Sequence, residues 1–230
     1  MTAGWTTASR TTAGLPHPWR QLRRLWLLRR LRDPAWRFLL DPPPSREWVA
    51  LDCETTGLDV RRDEIVSIGA VRIRGNRLLT SERLELLVRP SKASSPASVR
   101  IHHLRARDVV GGLEPAQAAR RVLEFIGSRP LVGYYLEFDV AMLNRLVLPL
   151  TGIRLPQPQI EVSGLYYDLK YQQNPDRPID LRFATLMKDL DLPTREAHRA
   201  LNDAVMAGLA FLKLRALGHG PPLDDDSPSG

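Results

Sequence analysis

The sequence predicts a mixed α/β domain in which three antiparallel strands are followed by alternating helices and a further strand, with helices covering the sheet. Three observations support this fold class. Three early segments are rich in β-branched or alternating apolar residues, and helical apolar spacing dominates after residue 114. The composition, with 43% hydrophobic and 26% charged residues among 230, is typical of a globular protein with one sizeable core.

The strands come first in the chain. Strands are predicted at residues 48–53, 65–73 and 83–88, with a turn at 74–76 joining the second and third. Residues 130–135 are predicted to form a buried strand that leads directly into a helix at 138–148. Further helices are predicted at 114–126, 163–173, 181–190 and 200–217, separated by loops that contain proline or glycine.

The first forty residues differ from the rest in charge. They contain eight arginines and one acid, Asp33, and so carry a formal charge of +7, the charge of the whole chain. Residues 19–40 are also rich in Leu and Trp and can be helical up to Asp33, where Pro34 restricts continuation. Because the prolines at 42–44 form a stiff spacer, we predict a basic arm at 1–44, a main domain at 45–217 and a disordered tail at 218–230.

Composition excludes several classes of protein. No stretch approaches the roughly 18 uninterrupted apolar residues of a membrane-spanning helix. Cys53 is the only cysteine, which excludes an internal disulfide and a cysteine-based zinc site. A reducing, cytoplasmic compartment fits these features best.

Two carboxylates share one face of the first strand. Period-two alternation places Trp48, Ala50, Asp52 and Glu54 on one face and Val49, Leu51 and Cys53 on the other. Like charges so close together are costly to ionise unless a cation lies between them. Carboxylate oxygens favour Mg²⁺ or Mn²⁺ over zinc. The pair alone is a weak signal, because one Asp-x-Glu is expected by chance among 26 acids in this chain.

Two aspartates are aligned with the buried faces of predicted helices. Apolar residues follow each aspartate at i+4, i+7 and i+11, namely Leu143, Leu146 and Leu150 after Asp139, and Ala207, Ala210 and Leu214 after Asp203. A buried carboxylate is costly unless it is paired or bound to a metal, although an acid at a helix N-terminus is also favoured by the dipole alone. His198 lies in the loop before Asp203, from which it could reach whatever Asp203 binds.

Together these segments resemble the three motifs of the DEDDh family of 3′–5′ exonucleases, and in particular bacterial proteins similar to the proofreading epsilon subunit of DNA polymerase III. The likeness covers roughly residues 46–215, in the family's order and spacing. Its motifs are Leu51-Asp52-Cys53-Glu54-Thr55-Thr56-Gly57-Leu58, then Leu131-Val132-Gly133 through Phe138-Asp139, and His198-Arg199-Ala200-Leu201-Asn202-Asp203-Ala204.

The resemblance implies a ribonuclease-H-like fold and a two-metal-ion phosphodiester hydrolase that uses Mg²⁺ or Mn²⁺. It assigns metal ligation to Asp52, Glu54, Asp139 and Asp203, with Asp52 bridging the ions, and it assigns the general base to His198. An imidazole can accept a proton from water near neutral pH. The resemblance also implies that Thr55, Thr56, Gly57 and Leu58 bind the terminal nucleotide.

One departure from the family pattern concerns substrate positioning. Many members carry His-Asn after the glycine of the second motif, whereas this chain has Tyr134-Tyr135 at those places. The tyrosines could stack on a nucleobase or could be ordinary core aromatics.

The leading hypothesis is hydrolysis at the 3′ end of single-stranded or frayed DNA. An RNA or short-oligonucleotide exonuclease, and a non-catalytic tethering module, are the alternatives. A polymerase or another replication or repair protein is a candidate partner. Residues 19–40 suit nucleic acid, an anionic membrane surface or a partner protein. They also resemble a transit peptide, but without a clear cleavage signal.

Overall fold

The computed structural model describes residues 17–92, 98–99, 104, 106–196 and 198–221. Its strands are β1 (Glu47–Thr55), β2 (Ile65–Arg74), β3 (Arg77–Leu87), β4 (Leu131–Gly133) and β5 (Gln159–Glu161). Its helices are α1 (His17–Arg30), a 3-10 helix (Pro34–Leu40), α2 (Ala106–Val109), α3 (Pro115–Ile126), α4 (Leu136–Thr151), α5 (Val162–Gln173), α6 (Phe183–Asp189) and α7 (Ala200–Ala216).

In the described part of the chain, the strands form one sheet in the order β3-β2-β1-β4-β5. β1 pairs antiparallel with β2, and β2 pairs antiparallel with β3. β4 runs parallel to both β1 and β5. The predicted mixed, ribonuclease-H-like sheet is therefore confirmed, and β1 lies at its centre, where both neighbours fix its register.

Each face of the sheet carries its own hydrophobic layer. Val49, Leu51 and Cys53 pack with α3 and α4 on one face. Trp48 and Ala50 pack with α5, α6 and α7 on the other. The alternation predicted for β1 is thus confirmed, and it directs the side chains of this strand to opposite layers.

A glycine in β2 lets α7 approach the sheet closely. Gly69 pairs with Asp52 across the β1–β2 ladder. A Cβ at Gly69 would lie 2.1 Å from the backbone nitrogen of Leu201 and 2.2 Å from the carbonyl carbon of Ala200. Because no real Cβ tolerates such contacts, the backbone of the first turn of α7 packs directly against Gly69. This close packing brings Asp203, in the same turn, near Asp52.

We expect Gly69→Ala to displace the first turn of α7, because the obstructing atoms are backbone and cannot rotate away. Overpacking of this kind costs about 1–3 kcal/mol of stability, and it would also move Asp203 away from Asp52. Gly164→Ala on α5 is a matched control, since nothing lies within 4 Å of its added Cβ. Thermal melting and metal binding measure the two effects. If Gly69→Ala matched the control in melting temperature and in metal binding, the position of α7 would not depend on its close packing against Gly69.

The basic segment is packed onto the domain by its last turns. Trp36 and Leu39 lie in the same core layer as Val49 and Leu51. The Arg32 backbone N–H donates to the Thr151 carbonyl oxygen at 2.9 Å. Residues 34–40 therefore belong to the packed unit, although the sequence placed the boundary after residue 44. Independent folding of residues 45–217 stays a prediction, and most of the predicted tail lies outside the described residues.

The exposed face of α1 is apolar and basic. Trp19, Leu22, Leu25 and Trp26 are exposed, and α1 has no acidic residue. Leu27, on another side of the helix, packs with Leu40 and Ile153. α1 is thus held near the C-terminal end of α4. Among the described residues, no helix is long and apolar enough to cross a membrane.

Candidate active site

The carboxylates named by the sequence come together where three elements meet. Asp52 and Glu54 lie near the C-terminal end of β1, Asp139 lies in the first turn of α4, and Asp203 lies in the first turn of α7. β1 pairs with the strand that leads into α4, and α7 begins over Gly69 opposite Asp52. The topology therefore brings both helix N-termini to the same end of the sheet as the β1 acids.

Three of the carboxylates converge closely. One oxygen from each of Asp52, Glu54 and Asp203 lies within 4.8 Å of the others. Asp139 approaches from α4, and its Oδ1 accepts a hydrogen bond of 3.2 Å from the backbone N–H of Cys53, between the two β1 acids. Asp139 is 4% exposed and Glu54 9% exposed. This dense set of hard oxygen donors fits a divalent cation such as Mg²⁺ or Mn²⁺.

Burial and mutual repulsion raise the pKa values of these carboxyls. Burial raises the pKa of Asp52 well above its usual value, and the charges of Asp139, Asp203 and Glu54 raise it further. Burial, together with the charge of Asp203, raises the pKa of Glu54 from 4.5 to about 7. Burial also raises the pKa values of Asp139 and Asp203. Four acids that disfavour each other's ionisation are characteristic of a functional site rather than of a solvated surface.

The raised pKa of Glu54 predicts how pH affects the stability of the metal-free chain. Between pH 4.5 and about 7 the folded carboxyl holds a proton that the unfolded one has lost, so stability falls as pH rises through this window. The loss from Glu54 is on the order of 3 kcal/mol. Urea unfolding in chelator at pH 5 and pH 7.5 measures it, with Glu54→Gln as the control that should reduce the slope. Stability that rose across the window and was insensitive to Glu54→Gln would contradict the assignment.

His198 lies at the entrance to α7. Its backbone N–H donates to Asp203 Oδ2 at 2.8 Å, and its side chain is exposed. Its φ of +63° lies in the left-handed region, which residues other than glycine adopt uncommonly and which is enriched at functional sites. The structure therefore ties the His198 backbone to one of the clustered carboxylates. The sequence offers His102 and His103 as the next candidates for a base if His198 is not one, and both lie outside the described residues.

The segment after Glu54 forms a tight internal network. The Thr55 hydroxyl donates to the Gly57 carbonyl oxygen at 2.7 Å, and the Thr56 hydroxyl donates to Asp63 Oδ1 at 3.0 Å. A Cβ at Gly57 would lie 2.4 Å from Asp63 Oδ2, so a larger residue here would displace this carboxylate from its hydrogen bonds to Thr56 and Asp59. Leu58 is 85% exposed. The nucleotide-binding role expected of residues 55–58 stays a prediction.

The sequence did not indicate Glu161, at the end of β5. Its Oε1 accepts a hydrogen bond of 3.0 Å from the Tyr135 N–H, and its Oε2 accepts one of 2.9 Å from the Leu136 N–H. Glu161 thereby holds the N-terminus of the helix that carries Asp139. β5 has only three residues, follows a loop that contains Pro156 and Pro158 and leads directly into α5, so no hydrophobic period could reveal it. An acid between this loop and the helix predicted at 163–173 was its only signal in the sequence.

Comparison with known proteins identifies the family of this chain. A family model described as Exonuclease (RNase T) matches residues 49–211. The DNA polymerase III subunit epsilon of Aquifex aeolicus is 24% identical over 172 residues, which are 73% of this chain and 79% of that protein. A DNA polymerase III subunit epsilon-like protein of Rhodobacter capsulatus is 31% identical over 174 residues, 75% of this chain but only 24% of its own length.

A solved structure shows the same fold. Exonuclease I of E. coli, in a zinc-bound complex with single-stranded DNA, superimposes with a TM-score of 0.64 at 16% identity, covering 76% of this chain and 41% of that one. The family model spans well over half of the chain, and it includes Asp52, Glu54, Asp139, His198 and Asp203. The chain therefore belongs to the exonuclease (RNase T) family.

Proposed function

We propose that this chain is a 3′–5′ exonuclease that hydrolyses terminal phosphodiester bonds of DNA, on single-stranded or frayed ends. The observation that carries the proposal is the convergence of Asp52, Glu54 and Asp203 within 4.8 Å, in a member of an exonuclease family. Catalysis of this kind requires a cluster of hard oxygen ligands at an accessible end of the fold, and this cluster meets that requirement.

The carboxylates would hold two Mg²⁺ or Mn²⁺ ions. The charges of Asp139, Asp203 and Glu54 all raise the pKa of Asp52, so Asp52 is close to each of the other three acids. This supports Asp52 as the shared ligand, with Glu54 and Asp203 on one side and Asp139 on the other. When bound, such ions activate water, neutralise charge at phosphorus and stabilise the departing 3′-oxygen.

His198 would accept the proton of the attacking water. Its backbone is bonded to Asp203, so the imidazole is carried by the same loop that positions a metal ligand. A general base typically contributes 10²- to 10⁴-fold to such a reaction. The exposed position of His198 also allows the proton to pass onward to solvent.

Residues 55–58 would bind the terminal nucleotide of the substrate, which we propose is DNA. The internal hydrogen bonds of Thr55 and Thr56 hold this loop rigidly beside Glu54, and exposed Leu58 is available to contact the terminal base or sugar. Single-stranded DNA is bound by exonuclease I in the similar structure, and two relatives are named for DNA polymerase III. These likenesses favour DNA over RNA. We also propose that the chain works with a polymerase and that it is located in the cytoplasm.

Residues 19–40 would make contacts away from the carboxylates. α1 is held near the C-terminal end of α4, about 18 Å along that helix from Asp139 at 1.5 Å per residue. The exposed Trp, Leu and Arg side chains of α1 therefore lie away from the carboxylates. Binding of distant nucleic acid, an anionic membrane surface or a partner protein by this face stays a proposal.

Matched oligonucleotides test the proposed function. A single-stranded DNA 20-mer and an RNA of the same sequence, each labelled once at the 5′ end and once at the 3′ end, are incubated with Mg²⁺ or with chelator. We expect a descending ladder from the 5′-labelled DNA, immediate mononucleotide release from the 3′-labelled DNA, and neither in chelator. Faster digestion of RNA would establish the exoribonuclease alternative. No digestion of either polymer would favour the tethering module.

A further inference from the structure

Tyr135 is held in an unusual backbone conformation next to the carboxylates. It is the N-cap of α4, with φ +53° and ψ +34°, in the left-handed region. Glu161 fixes this conformation by accepting hydrogen bonds from the N–H groups of Tyr135 and Leu136. Strained backbone that is over-determined by its surroundings is concentrated at functional sites. Its effect here is to direct a tyrosine ring outward, 60% exposed.

Two further aromatic rings support this ring from behind. The Tyr134 ring centroid lies 4.6 Å from that of Tyr135, and the Phe183 centroid lies 4.5 Å from that of Tyr134 at an interplanar angle of 26°. The Tyr134 hydroxyl donates to the Leu181 carbonyl oxygen at 2.8 Å. We call Phe183, Tyr134 and Tyr135 the aromatic ladder. It runs from half-buried Phe183 to exposed Tyr135, and so presents a rigid aromatic surface to solvent.

The ladder ends close to the carboxylates. Tyr135 precedes Asp139 by four residues, about one helical turn. On the β1 side of the site, Leu58 follows Glu54 by the same interval. Both side chains are among the exposed large hydrophobic residues of the described chain. Exposed apolar side chains therefore lie near the acids in sequence on two different elements, the N-terminus of α4 and the loop after β1.

We propose that Tyr135 forms a stacking subsite for a nucleobase of the bound strand, close to its 3′ end. A flat ring fixed by its neighbours loses little conformational entropy when a base stacks on it, and stacking tolerates any sequence because every base has a π-face. The two tyrosines thus have different roles: Tyr134 packs against Phe183 inside the protein, and Tyr135 stacks on the base. The inference rests on the proposed nuclease function and identifies part of its substrate site.

The test combines Tyr135 variants with abasic substrates. Tyr135→Asn removes the ring but keeps a residue that tolerates the left-handed region, and Tyr135→Phe keeps the ring. Tyr171→Ala is the matched control, because Tyr171 is exposed and stacked on Tyr167 but lies on α5. The DNA 20-mers carry a single abasic residue at the first, second or third position from the 3′ end. KM, kcat and DNA-binding anisotropy are measured for each pair.

We expect Tyr135→Asn to raise KM and weaken binding roughly 5- to 100-fold with kcat nearly unchanged, as loss of one stacked base implies. Tyr135→Phe and Tyr171→Ala should resemble the wild type. One abasic position should raise the KM of the wild type but not raise that of Tyr135→Asn further. Equal KM values for Tyr135→Asn and the wild type, or an undiminished abasic effect in the variant, would overturn the subsite while leaving the nuclease intact. A wild type that digests no DNA would overturn both.

Discussion

Asp52→Asn is expected to abolish hydrolysis, with turnover lowered at least 10³-fold, while the metal-free variant folds and melts at a higher temperature than the wild type. Asp52 is the carboxylate on which burial and all three neighbouring charges act. Replacing it with a neutral isostere removes a metal ligand and relieves the repulsion at the same time. Loss of activity and gain of metal-free stability are therefore predicted together, a combination that a purely structural aspartate would not give.

Asp168→Asn is the control for this variant, because Asp168 is exposed on α5. Activity is measured on 5′-labelled DNA in Mg²⁺, and melting is measured in chelator at pH 7.5. If Asp52→Asn unfolded at a lower temperature than both other proteins, Asp52 would be a structural residue and the site would have to be reconsidered.

His198 removal is expected to have the second largest effect. His198→Asn should lower kcat roughly 10²- to 10⁴-fold, the usual contribution of a general base, with binding of Mn²⁺ largely retained. Asparagine tolerates the left-handed backbone at this position better than alanine, so the hydrogen bond from residue 198 to Asp203 should survive. His219→Ala, three residues beyond the C-terminal end of α7, is the control. Activity within a few-fold of the wild type would assign the base elsewhere.

The strand that carries the site was predictable because its pattern is local. Alternation along residues 48–54 placed Asp52 and Glu54 on one face, and in the structure these two carboxylates meet Asp203 of α7. The inward positions after Asp203 are also confirmed, since Ala207, Ala210 and Leu214 are buried. The predicted helices are all present within a few residues of their expected ends. α4, however, begins at Leu136 rather than Phe138 and continues through Pro149 to Thr151.

Other features depend on contacts between distant residues. β3 begins at Arg77, six residues before its predicted start, because exposed Thr80 and Ser81 interrupt the apolar pattern there and only pairing with β2 reveals the strand. Packing of Trp36 and Leu39 into the core was equally invisible, since the adjacent arginines and prolines resemble a linker. The positive φ of Tyr135 follows from Glu161, which lies 26 residues away.

Counting bound Mn²⁺ by electron paramagnetic resonance tests the central claim most directly. Titration of the wild type and Asp52→Asn at pH 7.5 reports ion binding without requiring any substrate. If the clustered carboxylates form the metal site, the wild type should bind two Mn²⁺ ions per chain and be stabilised by them, and Asp52→Asn should lose at least one ion and most of that stabilisation. Identical Mn²⁺ binding by the two proteins, or no binding by either, would contradict the account.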